Sequence, residues 1–192
     1  MSKADRTRQF IIVTSAPIIN KKGMAGTSLS DIMGATKLAK GGIYGNFESK
    51  EEICHESYLY LARNQAARLD GAITKGKTAK EKFFNLLDAY ATKNDLGGCP
   101  ILNFGIEADD TNVVMKKNVK RSILNSQKRI FAIISDGIYN KEISEKIDAK
   151  SFSIKVFAMI EGAILCRRVT EDDEQTRIIL QAIRSEFENY LI

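Results

Sequence analysis

Apolar residues recur at helical spacing in segment after segment of this chain, and no stretch alternates like a convincing strand. Residues 6–20 carry Ile11, Ile12, Ile18 and Ile19 and run into Lys21-Lys22-Gly23, cations in a last turn followed by a glycine stop. Pro17 inside this stretch removes one backbone donor and predicts a local kink. A second, short helix opens at Thr27-Ser28-Leu29-Ser30-Asp31, a hydroxyl N-cap with an acid in the first turn. Leu29, Ile32 and Met33 form its apolar face, and it breaks near Thr36-Lys37-Leu38. Residues 39–47 contain Gly41, Gly42 and Gly45, each costing about 1 kcal/mol in a helix, so packing must hold that segment.

Ser49-Lys50-Glu51-Glu52 reads as a capping box. It opens a long helix through Ile53, Tyr58, Leu61, Ala62 and Leu69. A basic connection over 71–80 leads to a helix over 79–93, and Asp95 to Pro100 breaks the chain. One or two helical turns follow at 103–108, then a long amphipathic helix over 113–139. Residues 152–165 are apolar nearly all round, which requires cover on both sides, one from the core and one from a second subunit. Residues 175–192 add Ile178, Ile179, Ala182, Ile183, Phe187 and Leu191 at matching spacing. The fold class is all-α, with about nine helices.

Composition narrows this picture. The 192 residues suit one ordinary domain, or a small module fused to a larger one, and an apolar share of 44% argues against disorder. No apolar run reaches the roughly 20 residues a bilayer requires, and the start MSKADRTRQF lacks the apolar core of a secretory signal. Cys54, Cys99 and Cys166 are scattered and odd in number, which fits a reducing, cytoplasmic setting rather than a disulfide framework or a metal cluster. A single histidine, His55, removes most histidine-based catalysis and zinc chemistry. No cofactor and no metal is expected.

The charge is unevenly placed. Residues 1–50 hold eight bases against three acids, a net +5, while residues 51–192 hold 21 of each sign. A basic segment on a neutral body points to an anionic partner, nucleic acid first, with a solubilising surface as the plainer alternative. Two short helices joined by a three- to four-residue turn inside that segment form a helix-turn-helix pattern, whose second helix would enter the major groove.

The residues over 5–65 resemble the tetracycline-repressor (TetR) family of bacterial regulators. The matching positions are Gly23-Met24-Ala25-Gly26-Thr27-Ser28, Asp31-Ile32, Lys40-Gly41, Ile43-Tyr44, Phe47 and Ser49-Lys50-Glu51. Gly98-Cys99-Pro100 with Glu107, and Glu161-Gly162-Ala163, are similar to features of some members' C-terminal domains. Two positions depart from the pattern. The turn has Lys37 in place of the usual glycine, which places a lysine towards positive φ. Ala39 stands where a serine usually caps the reading helix, an omission worth about 1 kcal/mol.

The resemblance implies a DNA-binding domain over 5–65 and a helical ligand-binding and dimerisation domain over 66–192. It implies that Thr27 and Ser28 bind phosphate, that Lys40 and Tyr44 reach phosphate or base edges, and that Lys50 clamps a phosphate. Gly41 and Gly42 allow close approach, and Asn46 either packs or reads. A ligand pocket would draw on Phe84, Leu87, Tyr90, Asn103, Phe104, Glu107, Phe131 and Met159. A two-fold dimer would use Ile154, Phe157, Ala158, Glu161, Gly162, Leu165, Ile179, Ile183 and Phe187. The implied activity is that of a ligand-responsive repressor binding double-stranded DNA at a near-palindrome as a homodimer, its effector a small molecule. An enzyme is the alternative from another class, but no GxSxG, Walker or Rossmann glycine pattern is present. A helical scaffold that has lost DNA binding is the third reading, motivated by Lys37 and Ala39.

Overall fold

The computed structural model describes residues 2–93 and 96–192, so Asp95, where the sequence-predicted break begins, lies outside the described residues. Among the described residues there are nine α-helices: α1 (Lys3–Lys22), α2 (Leu29–Thr36), α3 (Lys40–Tyr44), α4 (Lys50–Ile73), α5 (Ala79–Ala91), α6 (Pro100–Ala108), α7 (Val113–Tyr139), α8 (Ala149–Thr170) and α9 (Glu174–Glu188). An isolated antiparallel bridge joins Ile143 to Leu191. The chain divides into two compact units, Met1–Gln65 with Asn94–Lys120, and Ala66–Lys93 with Arg121–Ile192. Residues 94–120, which hold α6, therefore group with the first three helices.

In the first unit, α1 starts on a capping box between Ser2 and Asp5 and runs through Pro17 to Lys22. It stops at Gly23, whose φ of 84° suits glycine and whose N–H donates to the Ile19 carbonyl at 2.8 Å. Ile11, Ile19, Ile32, Ile43, Ile53 and Tyr58 are buried, and the Tyr58 ring lies 5.2 Å from that of Phe104. The short helix α3 carries three glycines in or beside it yet is anchored through Ile43 and the following Phe47, both buried. Tertiary packing overrides its poor propensity, as anticipated.

The second unit is built on an aromatic cluster. Phe83 lies 4.5 Å from Phe187 and 5.8 Å from Phe152, joining α5, α8 and α9, and Tyr190 meets Phe152 edge-on. Ile183 and Phe187, expected at a subunit contact, are fully buried in the chain's own core. Phe157 and Glu161 are buried as well. Thr176, Leu180, Ile183 and Phe187 form the inward face of α9, while Arg177, Gln181, Ser185 and Glu188 lie on its exposed face, so the helical period marks its apolar side but not what covers that side. Ile154, Ala158, Gly162, Leu165 and Val169, the apolar residues and the glycine of α8 that remain exposed, recur every three or four positions and form one stripe.

Candidate nucleic-acid interface

The candidate interface comprises α2, the turn after it, and α3. Ser28 caps α2: its hydroxyl oxygen accepts the Asp31 N–H at 3.1 Å, while the Asp31 carboxylate accepts the Ser28 N–H at 2.8 Å. The Lys22 ammonium 2.6 Å from Asp31, with the N–H and hydroxyl of Ser28, holds that carboxyl well below the usual carboxylate range. The helix ends at Lys37, which takes the left-handed conformation (φ 59°, ψ 22°) and donates its N–H to the Met33 carbonyl at 2.8 Å. Ala39 begins α3 without any side-chain cap. Both departures noted in the sequence thus have the local consequences expected of them.

The exposed surface of α3 is sparse. Lys40 and Tyr44 are exposed, with the Lys40 ammonium 5.8 Å from the centre of the Tyr44 ring, and Tyr44 is 41% accessible. Gly41, Gly42 and Gly45 fill the rest of that surface, and a Cβ added at Gly41 would meet nothing within 4 Å. Asn46 donates its amide to the Gly42 carbonyl at 2.8 Å, and its own carbonyl accepts Arg8 at 2.6 Å. Asn46 therefore closes the end of α3.

Two residues expected on phosphate are engaged internally. Thr27 is fully buried, and its hydroxyl donates to the Gly23 carbonyl at 2.7 Å. The Lys50 ammonium donates to the carbonyls of Met24 and Thr27, each at 2.9 Å. Lys50 ties the start of α4 to the turn between α1 and α2. The capping box at Ser49 is half formed: the Ser49 hydroxyl accepts the Glu52 N–H, but the Glu52 carboxylate takes the N–H of Glu48 instead of Ser49. That N–H, and then the Arg8 guanidinium, depress the Glu52 carboxyl.

Two structural residues went unnoticed in the sequence. Arg8 bonds the Asn46 carbonyl and the Glu52 carboxylate and lies 4.2 Å over the Phe47 ring, so it holds the exit of α3 against the start of α4. Asn20, buried, donates to the Leu96 and Gly98 carbonyls. No periodicity marks such side-chain-to-backbone bonds across dozens of residues.

The residues expected in a ligand pocket fall in different units. In the first, Asn103 donates to the carbonyl and side-chain oxygens of Asn20 and to the Gly97 carbonyl. Glu107 accepts the Met24 N–H at 2.5 Å. Both polar groups thus fasten α6 to the end of α1, and Phe104 is buried on Tyr58. In the second, Leu87 and Tyr90 are buried, Phe84 and Met159 are half-buried, and Phe131 is exposed. The Arg184 guanidinium lies 4.7 Å over the Phe84 ring. Two surface grooves of the second unit, of about 490 and 620 Å³, are lined by other residues, among them Arg68 and Asn85 in one and Arg167, Leu180 and Arg184 in the other.

Comparison with known proteins agrees with this geometry. Residues 11–56 match the family model described as bacterial regulatory proteins, tetR family, and residues 79–183 match the tetracyclin-repressor-like C-terminal domain. A TetR-family transcriptional regulator from Cytophaga hutchinsonii superposes with a TM-score of 0.94 at 36% identity, over 100% of this chain and 98% of that one. A TetR regulator from Chloroflexus aurantiacus gives the same score and coverage at 32% identity. An HTH-type transcriptional regulator from the lacX 3′ region of Lactococcus lactis is 26% identical, over 95% of this chain and 93% of its own length. The HTH-type transcriptional regulator TtgR of Pseudomonas putida is 25% identical, over 84% and 80% respectively.

Proposed function

The chain belongs to the tetR family of bacterial regulatory proteins and is a helix-turn-helix transcriptional regulator; from that premise we propose that it is a cytoplasmic repressor that binds a near-palindromic operator as a homodimer and releases it on binding a small molecule. Residues 5–65 recognise DNA, and residues 66–192 hold the effector and the dimer contact. The observation that carries the reading is the presentation of Lys40 and Tyr44, exposed, on a helix that directly follows a capped α2.

In this reading α3 enters the major groove. Lys40 donates to a guanine edge or a phosphate, and the Tyr44 ring meets a thymine methyl or a sugar. The phosphate groups are approached by the α2 N-terminus at Ser28. The exposed apolar stripe on α8, whose Gly162 leaves open space for close helix approach, supports dimerisation through this face. Two copies would place their reading helices one helical turn apart, about 34–36 Å. No helix of the described residues is long and apolar enough to cross a membrane.

The effector acts by differential affinity alone: a molecule that binds better when the two reading heads are wrongly spaced lowers the affinity for DNA. The link from α6 to the α1 terminus through Asn103 and Glu107 supports a route by which movement of α6 would be felt at the helix-turn-helix. The reading is tested by titrating operator duplex with purified protein across salt, and by release of that duplex on addition of candidate effectors.

A further inference from the structure

The turn between α2 and α3 carries a lysine in a backbone conformation that glycine takes freely and other residues do not. Lys37 sits at φ 59° and ψ 22°. Lys141 and Glu171 also have positive φ, 59° and 57°, after other helices, so the backbone alone does not mark a site. What distinguishes Lys37 is its setting. It is exposed, its side chain forms no ion pair or hydrogen bond among the described residues, and it stands three positions before Lys40 at the mouth of the reading helix.

The neighbouring polar groups are occupied. Lys22 is held by Asp31, Lys50 by the carbonyls of Met24 and Thr27, and Arg8 by Asn46 and Glu52. The hydroxyl of Thr27 bonds Gly23, and that of Ser28 bonds Asp31. Among the cations from Lys21 to Lys50, this leaves Lys21, Lys37 and Lys40 exposed and outside these hydrogen bonds and ion pairs. Between them, Lys37 and Lys40 flank the start of α3, whose own surface is largely glycine. A helix so poor in side chains needs contacts beside it to set its register on the duplex, and phosphates, one per about 1.7 Å of helix axis, are the groups within reach there.

We propose that Lys37 is a DNA-phosphate contact, supplying from the turn the anchor that Lys50 does not supply from α4. This rests on the DNA-binding reading. A lysine at a helix C-terminus also complements the helix dipole, and that purely structural role makes a different prediction.

The test compares the full chain with Lys37→Gly, which removes the charge and relaxes the backbone, and with Lys37→Arg, which keeps the charge. Each is titrated from about 0.05 to 0.2 M salt with a duplex selected by the wild-type protein and with one of random sequence. The expected result is that Lys37→Gly keeps or raises the thermal midpoint, weakens both duplexes by about tenfold, and lowers the salt slope by about one per protomer. Lys37→Arg retains both affinity and slope. Wild-type affinity and slope in Lys37→Gly overturn the proposal. So does a loss confined to the selected duplex, which marks a base contact, and so does a lowered thermal midpoint with an unchanged slope, which marks the dipole role. Failure of the wild-type protein to bind either duplex overturns the regulator reading itself, and this proposal with it.

Discussion

Glu107 of α6 accepts the backbone N–H of Met24 at 2.5 Å, joining residues 83 positions apart at the point where α1 hands over to the helix-turn-helix. The same carboxylate occupies the space a Cβ would need at Gly23, whose φ of 84° already favours glycine. The Met24–Thr27 turn is thus gripped from two sides, its N–H by Glu107 and its carbonyls by Lys50.

Glu107→Ala leaves a part-buried N–H without its acceptor. The expected loss of stability is about 1–3 kcal/mol, read from the urea midpoint. An effect within about 0.5 kcal/mol would place Glu107 among ordinary surface residues.

Lys50→Met separates two roles for that side chain. The observed bonds to two carbonyls predict lower stability, by about 1.5–3 kcal/mol, with an unchanged salt slope of DNA binding. A phosphate clamp predicts the reverse: stability kept, and the slope reduced by about one per protomer.

Tyr44→Ala tests the reading surface. Because the ring is exposed, stability should change by no more than about 0.5 kcal/mol. Operator affinity should fall by about 1–3 kcal/mol in a mobility-shift titration. Retained affinity would remove Tyr44 from the interface.

Acid should loosen the first unit. The Asp31 carboxyl is depressed in the folded chain, so its stabilising contribution is fully present above the ordinary value of 3.8 and is lost as pH falls below it. Circular dichroism between pH 5 and about pH 2 should show the wild-type chain losing stability more steeply than Asp31→Asn. Equal slopes would show that the carboxylate caps nothing.

The helices were legible in the sequence because caps and period are local. Ser28 with Asp31, the stop at Gly23, the strained Lys37 and the uncapped Ala39 all behave as their residue types require. The resemblance implies phosphate contacts at Thr27 and Lys50, and a ligand pocket in which Asn103 and Glu107 are the polar groups. Their partners are mostly backbone groups, those of Lys50 and Glu107 and the Asn20 oxygens that accept from Asn103 distant in the chain, and no spacing rule encodes those pairs. Ile183 and Phe187 show the other gap. The apolar face of a helix can cover its own core or a partner, and the packing of Phe187 against Phe83 puts this one on the chain's own core.

The stripe on α8 yields its own prediction. Leu165→Glu should turn a dimer into a folded monomer in sedimentation, whereas Ile183→Ala should cost about 2–5 kcal/mol of folding stability through a core cavity. A dimer that survives Leu165→Glu would move the subunit contact elsewhere.

Whether a dimer reads DNA sequence through α3 is decided by selecting bound duplexes from a random pool at about 0.15 M salt. A dimeric reader enriches a near-palindrome whose half-sites lie about one helical turn apart. Recovery of no motif, with only weak and salt-sensitive binding, would contradict it.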